Sequence, residues 1–145
     1  MYTEVEEIGQ DRLSSCWVMT DKSRSEVKKV KARLVCRGFK EPVEVQSDSA
    51  CGSKETLHLL LVLSSARTWV IKSGDVKNAY LQGEAINREV FMEPPMERKK
   101  EGVVWKLHKA VYGLNDAGCM WCFRVEQVLT SLGCLKLLYD HCLFS

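Results

Sequence analysis

The sequence predicts an α+β fold, and three observations carry that reading. Residues 29–37 alternate basic and apolar side chains, as a half-buried strand does. Segments 89–93 and 103–107 have strand composition on either side of a Pro-Pro and charge-rich stretch. Two apolar-patterned segments, 54–68 and 118–132, carry helix-cap residues at one end.

From Lys22 to Lys40 the chain holds eight basic residues (Lys22, Arg24, Lys28, Lys29, Lys31, Arg33, Arg37 and Lys40) against one acid, Glu26, whereas residues 1–21 are net acidic. Lys29, Lys31, Arg33 and Arg37 fall on odd positions, and Val30, Ala32, Leu34 and Cys36 on even ones. Side chains two apart on a strand stand about 7 Å from one another, so such a row repels itself unless it is solvated or faces an anion. A solvated edge strand guarded by lysine and an anion-facing strand are both consistent with it.

Residues 47–53 form a Ser-, Asp- and Gly-containing loop, and Ser53 is placed to cap a helix over Lys54–Thr68 with Glu55 in its first turn. The helix is apolar around most of its circumference (Leu57, Leu59, Leu60, Leu61 and Leu63), which predicts packing inside the domain. Trp69-Val70-Ile71 predicts a short strand ending at Ser73-Gly74-Asp75, followed by one or two helical turns over 76–81 that stop at Gln82-Gly83. Residues 89–93 and 103–107 then predict a long hairpin across the charged segment 97–101. In the next helix Trp121, Val125, Val128, Leu129 and Leu132 recur at helical spacing, and Gly133 stands where a C-terminal cap belongs. The last residues, His141-Cys-Leu-Phe-Ser145, predict a strand cut short.

At 145 residues the chain fits one domain. Hydrophobic residues at 46% and charged residues at 28% exclude disorder, collagen and disulfide miniproteins. No apolar run reaches the roughly 20 residues of a membrane helix, and the acidic start Met1-Tyr-Thr-Glu-Val-Glu-Glu is no secretory signal, so an intracellular location without membrane partners is expected. Seven cysteines, an odd number, are then expected as reduced thiols. A formal charge of +2 implies no polyanion partner by itself, so the argument for one rests on the basic row.

Asp75, expected at the end of an apolar strand, is a candidate metal ligand, although aspartate at such a place is also a common turn former. Four segments occur in order: Lys31-Ala-Arg-Leu-Val-Cys-Arg-Gly-Phe39, Asp75-Val-Lys-Asn-Ala-Tyr-Leu-Gln-Gly83, Glu89-Val-Phe-Met-Glu-Pro-Pro95 and Leu107-His-Lys-Ala-Val-Tyr-Gly-Leu114. In these the chain resembles the copia (Ty1/copia) family of retrotransposon reverse transcriptases, and the likeness continues through Trp121, Ser131-Leu-Gly133 and Asp140-His-Cys-Leu-Phe144.

The resemblance implies the fingers (about 14–46) and then palm and fingers elements (about 47–145) of a right-hand polymerase, a split β-α-β arrangement backed by the two helices. It implies an RNA-directed DNA polymerase using two Mg²⁺ ions for in-line nucleotidyl transfer. Asp75 matches the first catalytic aspartate, with the backbone carbonyl of Val76 as a neighbouring metal ligand. Tyr80 matches the aromatic residue under the incoming sugar that excludes a 2′-hydroxyl, and a core aromatic is the plainer alternative. Lys31, Arg33 and Arg37 match the strand that faces triphosphate and template. Tyr112 and Gly113 match the segment near the nascent base pair, where a missing side chain leaves room. The implied partners are an RNA or DNA primer–template, deoxynucleoside triphosphates and a parent polyprotein.

The family commonly reads Ala-Pro-Arg before an Ala-Trp pair, where this chain has Ala117-Gly118-Cys119-Met120-Trp121. The family's second metal-binding element, an aromatic residue then x-Asp-Asp, is expected beyond Ser145, and no Asp-Asp pair occurs in the 145 residues. The expectation is therefore a polymerase piece, inactive alone. Competing readings are a zinc site from Cys119, Cys122, Cys134, His141 and Cys142, thiol–disulfide exchange at Cys119 and Cys122, a non-catalytic nucleic-acid-binding remnant, and a decayed copy without function.

Overall fold

The computed structural model describes residues 1–23, 28–42 and 44–145. Arg24 and Glu26 of the basic run lie outside the described residues. Among the described residues five strands and two α-helices follow in the order β1 (Tyr2–Glu6), β2 (Ser15–Asp21), β3 (Val30–Cys36), α1 (Lys54–Ala66), β4 (Ala85–Met92), β5 (Val103–Lys109) and α2 (Ala117–Ser131). Short 3-10 turns stand at Gly38–Lys40, Ala79–Gln82 and Met96–Arg98.

The strands make two antiparallel sheets, one ordered β1-β5-β4 and the other a β2-β3 hairpin. The predicted 89–93/103–107 hairpin is present as β4 and β5, with Met92 opposite Trp105 and Val90 opposite Leu107. Strand β5 is central, and Val104, Trp105 and Leu107 are buried on it, with the Tyr2 ring of β1 stacked on Trp105 at 4.0 Å between centroids. The two sheets are joined through Leu13, whose N–H donates to the carbonyl of Phe91 at 2.9 Å and whose carbonyl accepts from Glu93 N–H at 2.8 Å.

A single apolar cluster fills the space between them. It contains Cys36 from β3, Val90 and Met92 from β4, Trp105 and Leu107 from β5, and Val111, Leu114 and Ala117 leading into α2. The alternation of β3 is realised only at its end, where Leu34 packs against this core and Cys36 is within it; Val30 and Ala32, expected on the buried face, are exposed, and Arg33 is half-buried. Burial and the nearby Glu41 and Cys16 push the Cys36 thiol up to about 12, so it behaves as a small apolar side chain.

Both helices lie where their patterns place them. Ser53 Oγ accepts from Thr56 N–H at 3.0 Å, the expected cap of α1, and Gly133 takes φ +89° just past the end of α2.

Three expectations are corrected. Helix α1 does not pack inside: Leu57, Leu61 and Val62 are exposed, Leu59 at 57%, and Ser64 is its one buried residue. No strand forms at 69–71, where Val70 is 83% exposed. The two failures have one cause. A strand holds its backbone groups only against a neighbouring strand, no strand among the described residues offers one there, and α1 is left without a sheet to cover. At the chain's end, residues 141–145 make an isolated bridge, Lys136 opposite Phe144, rather than a strand.

Candidate nucleotide and nucleic-acid cleft

A cleft of about 1310 Å³ opens between the β2-β3 hairpin and α2. Six of the residues singled out from sequence line it: Lys31, Arg33, Asp75, Val76, Tyr80 and Tyr112. Arg37 and Gly113 do not.

The basic wall follows from the register of the hairpin. Strand β3 pairs with β2 so that Lys31 stands opposite Thr20 and Arg33 opposite Val18, and Lys22 N–H donates to the carbonyl of Lys29 at 2.7 Å beyond the strand ends. Lys22, Lys29, Lys31 and Arg33 thereby line one side of the cleft. Arg33 Nη1 reaches Thr20 Oγ1 at 3.4 Å, a weak anchor that leaves most of the guanidinium's donors available. Arg37 leaves the row because the strand ends at Cys36: its N–H donates to the carbonyl of Ser14 at 2.9 Å and it begins the turn at Gly38–Lys40.

The opposite wall comes from α2, where Trp121, Val125 and Leu129 lie one helical turn apart and are half-buried along the cleft. Glu126 lies on the same wall, paired with Lys136 at 2.5 Å. Between the walls the Tyr80 and Tyr112 rings meet at 5.5 Å, tilted by 58°. Tyr80 is exposed on its 3-10 turn, so it is not the core aromatic offered as the plainer alternative. The turn is entered through Asn78, at φ +53°. It lies close against α2, where a Cβ on Gly83 would come within 3.1 Å of the Met120 and Trp121 backbone.

Tyr112 and Gly113 hold β3 in place. Cys36 N–H donates to the carbonyl of Tyr112 at 2.7 Å, and Gly38 N–H to that of Gly113 at 3.1 Å. Gly113 has φ +88°, and a Cβ there would stand 2.1 Å from the Cys36 carbonyl oxygen. Its lack of a side chain is therefore required by the strand beside it, whatever passes through the cleft. Gly118, one of the departures noted above, is similarly tight, since a Cβ would come within 2.9 Å of Ser49 Cβ.

Asp75 lines the cleft but is exposed, on irregular chain instead of at a strand end. Among the described residues no group of three or more His, Cys, Asp or Glu side chains is arranged to hold a metal ion. Asp75 and the Val76 carbonyl supply two oxygens where a Mg²⁺ ion takes six, and the other carboxylate lining the cleft among the described residues, Glu126, is bound to Lys136. The described residues do not make a two-ion site. The same finding removes the zinc reading, since Cys119, Cys122, Cys134, His141 and Cys142 form no such group.

Residues 3–145 match the family model for reverse transcriptase (RNA-dependent DNA polymerase). The chain belongs to this reverse transcriptase family. It is 29% identical over 135 residues to the retrovirus-related Pol polyprotein from transposon RE1 of Arabidopsis thaliana, covering 88% of this chain and 9% of that protein. Against the corresponding polyprotein from transposon RE2 of the same plant it is 28% identical over 135 residues, again 88% and 9%. Against that from transposon TNT 1-94 of Nicotiana tabacum it is 30% identical over 144 residues, 94% and 11%. These relatives are copia-type retrotransposon Pol polyproteins, so the resemblance carried by the four segments is upheld, and the chain spans about a tenth of their length. No solved structure matches it. For this reverse transcriptase domain the fold is of mixed α and β content, with two helices and antiparallel sheets. Among the described residues no helix is long and apolar enough to cross a membrane.

Sequence reasoning missed Trp121 and Val125 as cleft residues, because apolar residues at helical spacing read as core. It also missed β1, and the signal for that strand was available in the alternation of Tyr2, Glu4 and Glu6 with Thr3 and Val5 only once a partner strand is known.

Proposed function

We propose that this chain is the nucleotide- and template-facing part of a copia-type reverse transcriptase domain. Residues 14–46 form its fingers strands, and 47–145 its palm and further fingers elements. One observation supports the reading above others: six residues from three separate segments, chosen for polymerase roles on sequence grounds, line one cleft.

In this reading Lys31 and Arg33 receive the phosphates of a deoxynucleoside triphosphate or of a primer–template. Paired guanidinium hydrogen bonds suit phosphate oxygens, and Lys22 and Lys29 extend the same positive wall. Tyr80 lies under the sugar and Tyr112 supports it from the side. Arg37, turned out of the row, serves the template side or the fold alone. Asp75 and Val76 are ligands of a Mg²⁺ site that these 145 residues leave incomplete, since polymerase chemistry needs further carboxylates and no Asp-Asp pair is present. The chain by itself therefore binds without catalysing, and its partners are the primer–template, the triphosphate and the polyprotein that the relatives represent.

The test is binding of a labelled RNA–DNA primer–template at several salt concentrations. Affinity should fall as salt rises, and Lys31→Ala with Arg33→Ala should flatten the slope of log affinity against log salt by about 1–2. Salt-independent binding, or a slope untouched by the double variant, overturns the reading.

A further inference from the structure

Strand β4 places Ile86, Arg88, Val90 and Met92 on one face, and three of these four are apolar and face the core. Arg88 is a charge on the inward face of a strand, which the strand's own alternation does not explain. Its side chain is 19% exposed, and it ends between two carboxylates more buried still, Glu41 at 7% and Asp116 at 3%. Nε donates to Glu41 Oε1 at 2.9 Å, and Nη1 donates to Asp116 Oδ2. Nη2 approaches the same Glu41 oxygen at 2.8 Å without hydrogen-bond geometry. One cation thus serves two buried anions, and Glu41 Oε2 and Asp116 Oδ1 have no partner among the described residues.

For stability alone this is a poor arrangement, because an apolar residue at 88 would bury more cheaply than an unbalanced ion triad. Its placement gives it another use. Glu41 closes the turn that follows β3, the basic wall of the cleft, and Asp116 stands at the N-terminal end of α2, the apolar wall, with its carboxylate turned to Arg88 rather than capping the helix. Besides the apolar packing of Leu34 and Cys36 on Val111 and Leu114, the hydrogen bonds between those two segments among the described residues are backbone bonds from Cys36 and Gly38 and one long side-chain bond, Asn115 Nδ2 to the Gly38 carbonyl at 3.3 Å.

We propose that Arg88 is a positioning residue for the cleft: by sharing one planar guanidinium between Glu41 and Asp116 it holds the basic wall of β3 at a fixed setting against α2. This rests on the cleft being the nucleic-acid site proposed above. Lysine at 88 keeps the charge but has no fork with which to engage two carboxylates in opposite directions.

Two variants of the full chain test it, R88K and the neutral triple variant E41Q/R88M/D116N, which removes the unpaired charges if R88K folds poorly. Amide hydrogen exchange reads the wall contact directly, and binding of an RNA–DNA primer–template reads its consequence. In each variant, protection of the Cys36 and Gly38 amides should fall by about tenfold or more while the β4-β5 ladder changes by less than about twofold. Primer–template affinity should fall by about tenfold alongside it. Uniform loss of protection means that Arg88 merely stabilises the fold, and unchanged Cys36 and Gly38 amides in the triple variant mean that the fork is dispensable; either overturns the proposal. Selective loss in a protein whose wild type ignores the duplex upholds Arg88's hold on the walls and removes the ligand instead.

Discussion

Gly113 shows how a single residue can serve a motif for one reason and a fold for another. A Cβ at this position meets the Cys36 carbonyl oxygen and Val35 Cγ1, on a backbone already at φ +88°. Gly113→Ala should cost at least about 2 kcal/mol in urea unfolding, from left-handed strain plus the clash with β3. Asp140 is a second such residue. Its carboxylate accepts from Ser53 N–H at 3.0 Å and Cys142 N–H at 2.8 Å. The backbone bond from Ser53, then Thr56 and Cys142, holds its pKa at about 2 against an ordinary 3.8. A depressed carboxylate contributes stability that is fully present above its unfolded value and is lost as pH falls through the folded one. Wild type should therefore be more stable than Asp140→Asn near pH 6, and the two urea midpoints should draw together from about pH 4 downward and meet only near about pH 1. A difference that persists at about pH 1, below both values, would assign Asp140 a role other than its charge.

At the scale of the element, α1 is capped and regular yet sits outside the core. Its exposed Leu57, Leu59, Leu61 and Val62, with exposed Trp69, Val70 and Ile71 a few residues on, leave seven large apolar side chains facing water. The protein should self-associate with rising concentration in analytical ultracentrifugation, and Leu59→Glu with Val62→Glu should suppress this. Because both side chains are exposed, the same pair should shift folding stability by less than about 1 kcal/mol. The opposite case is β5, whose Val104, Trp105 and Leu107 are buried because strands flank it on both sides. Both segments are apolar in sequence, and only the presence of a partner separates them.

On the scale of the whole molecule, and among the described residues, the cleft brings cations, aromatic rings and the Asp75 carboxylate together without assembling a metal centre. Primer extension by the 145-residue chain should therefore give no product with Mg²⁺ or Mn²⁺, even where the primer–template is bound. Incorporation of a nucleotide would show that carboxylates outside the cleft reach Asp75.

What was legible in the sequence was local. The β3 strand, the Ser53 cap, the Gly133 stop and the β4-β5 hairpin are each written in side chains within a few residues of one another, and each formed where its pattern lies. The four ordered segments also sufficed for the family, since motif residues carry their spacing with them. The structure decided everything that needs a partner distant in sequence. It left α1 and residues 69–71 uncovered, turned Arg37 out of the basic row, and set Arg88 between two carboxylates 47 residues before and 28 residues after it. An apolar or charged residue declares only what it would gain by burial or pairing. Whether it obtains that gain depends on which surface the rest of the chain brings to it.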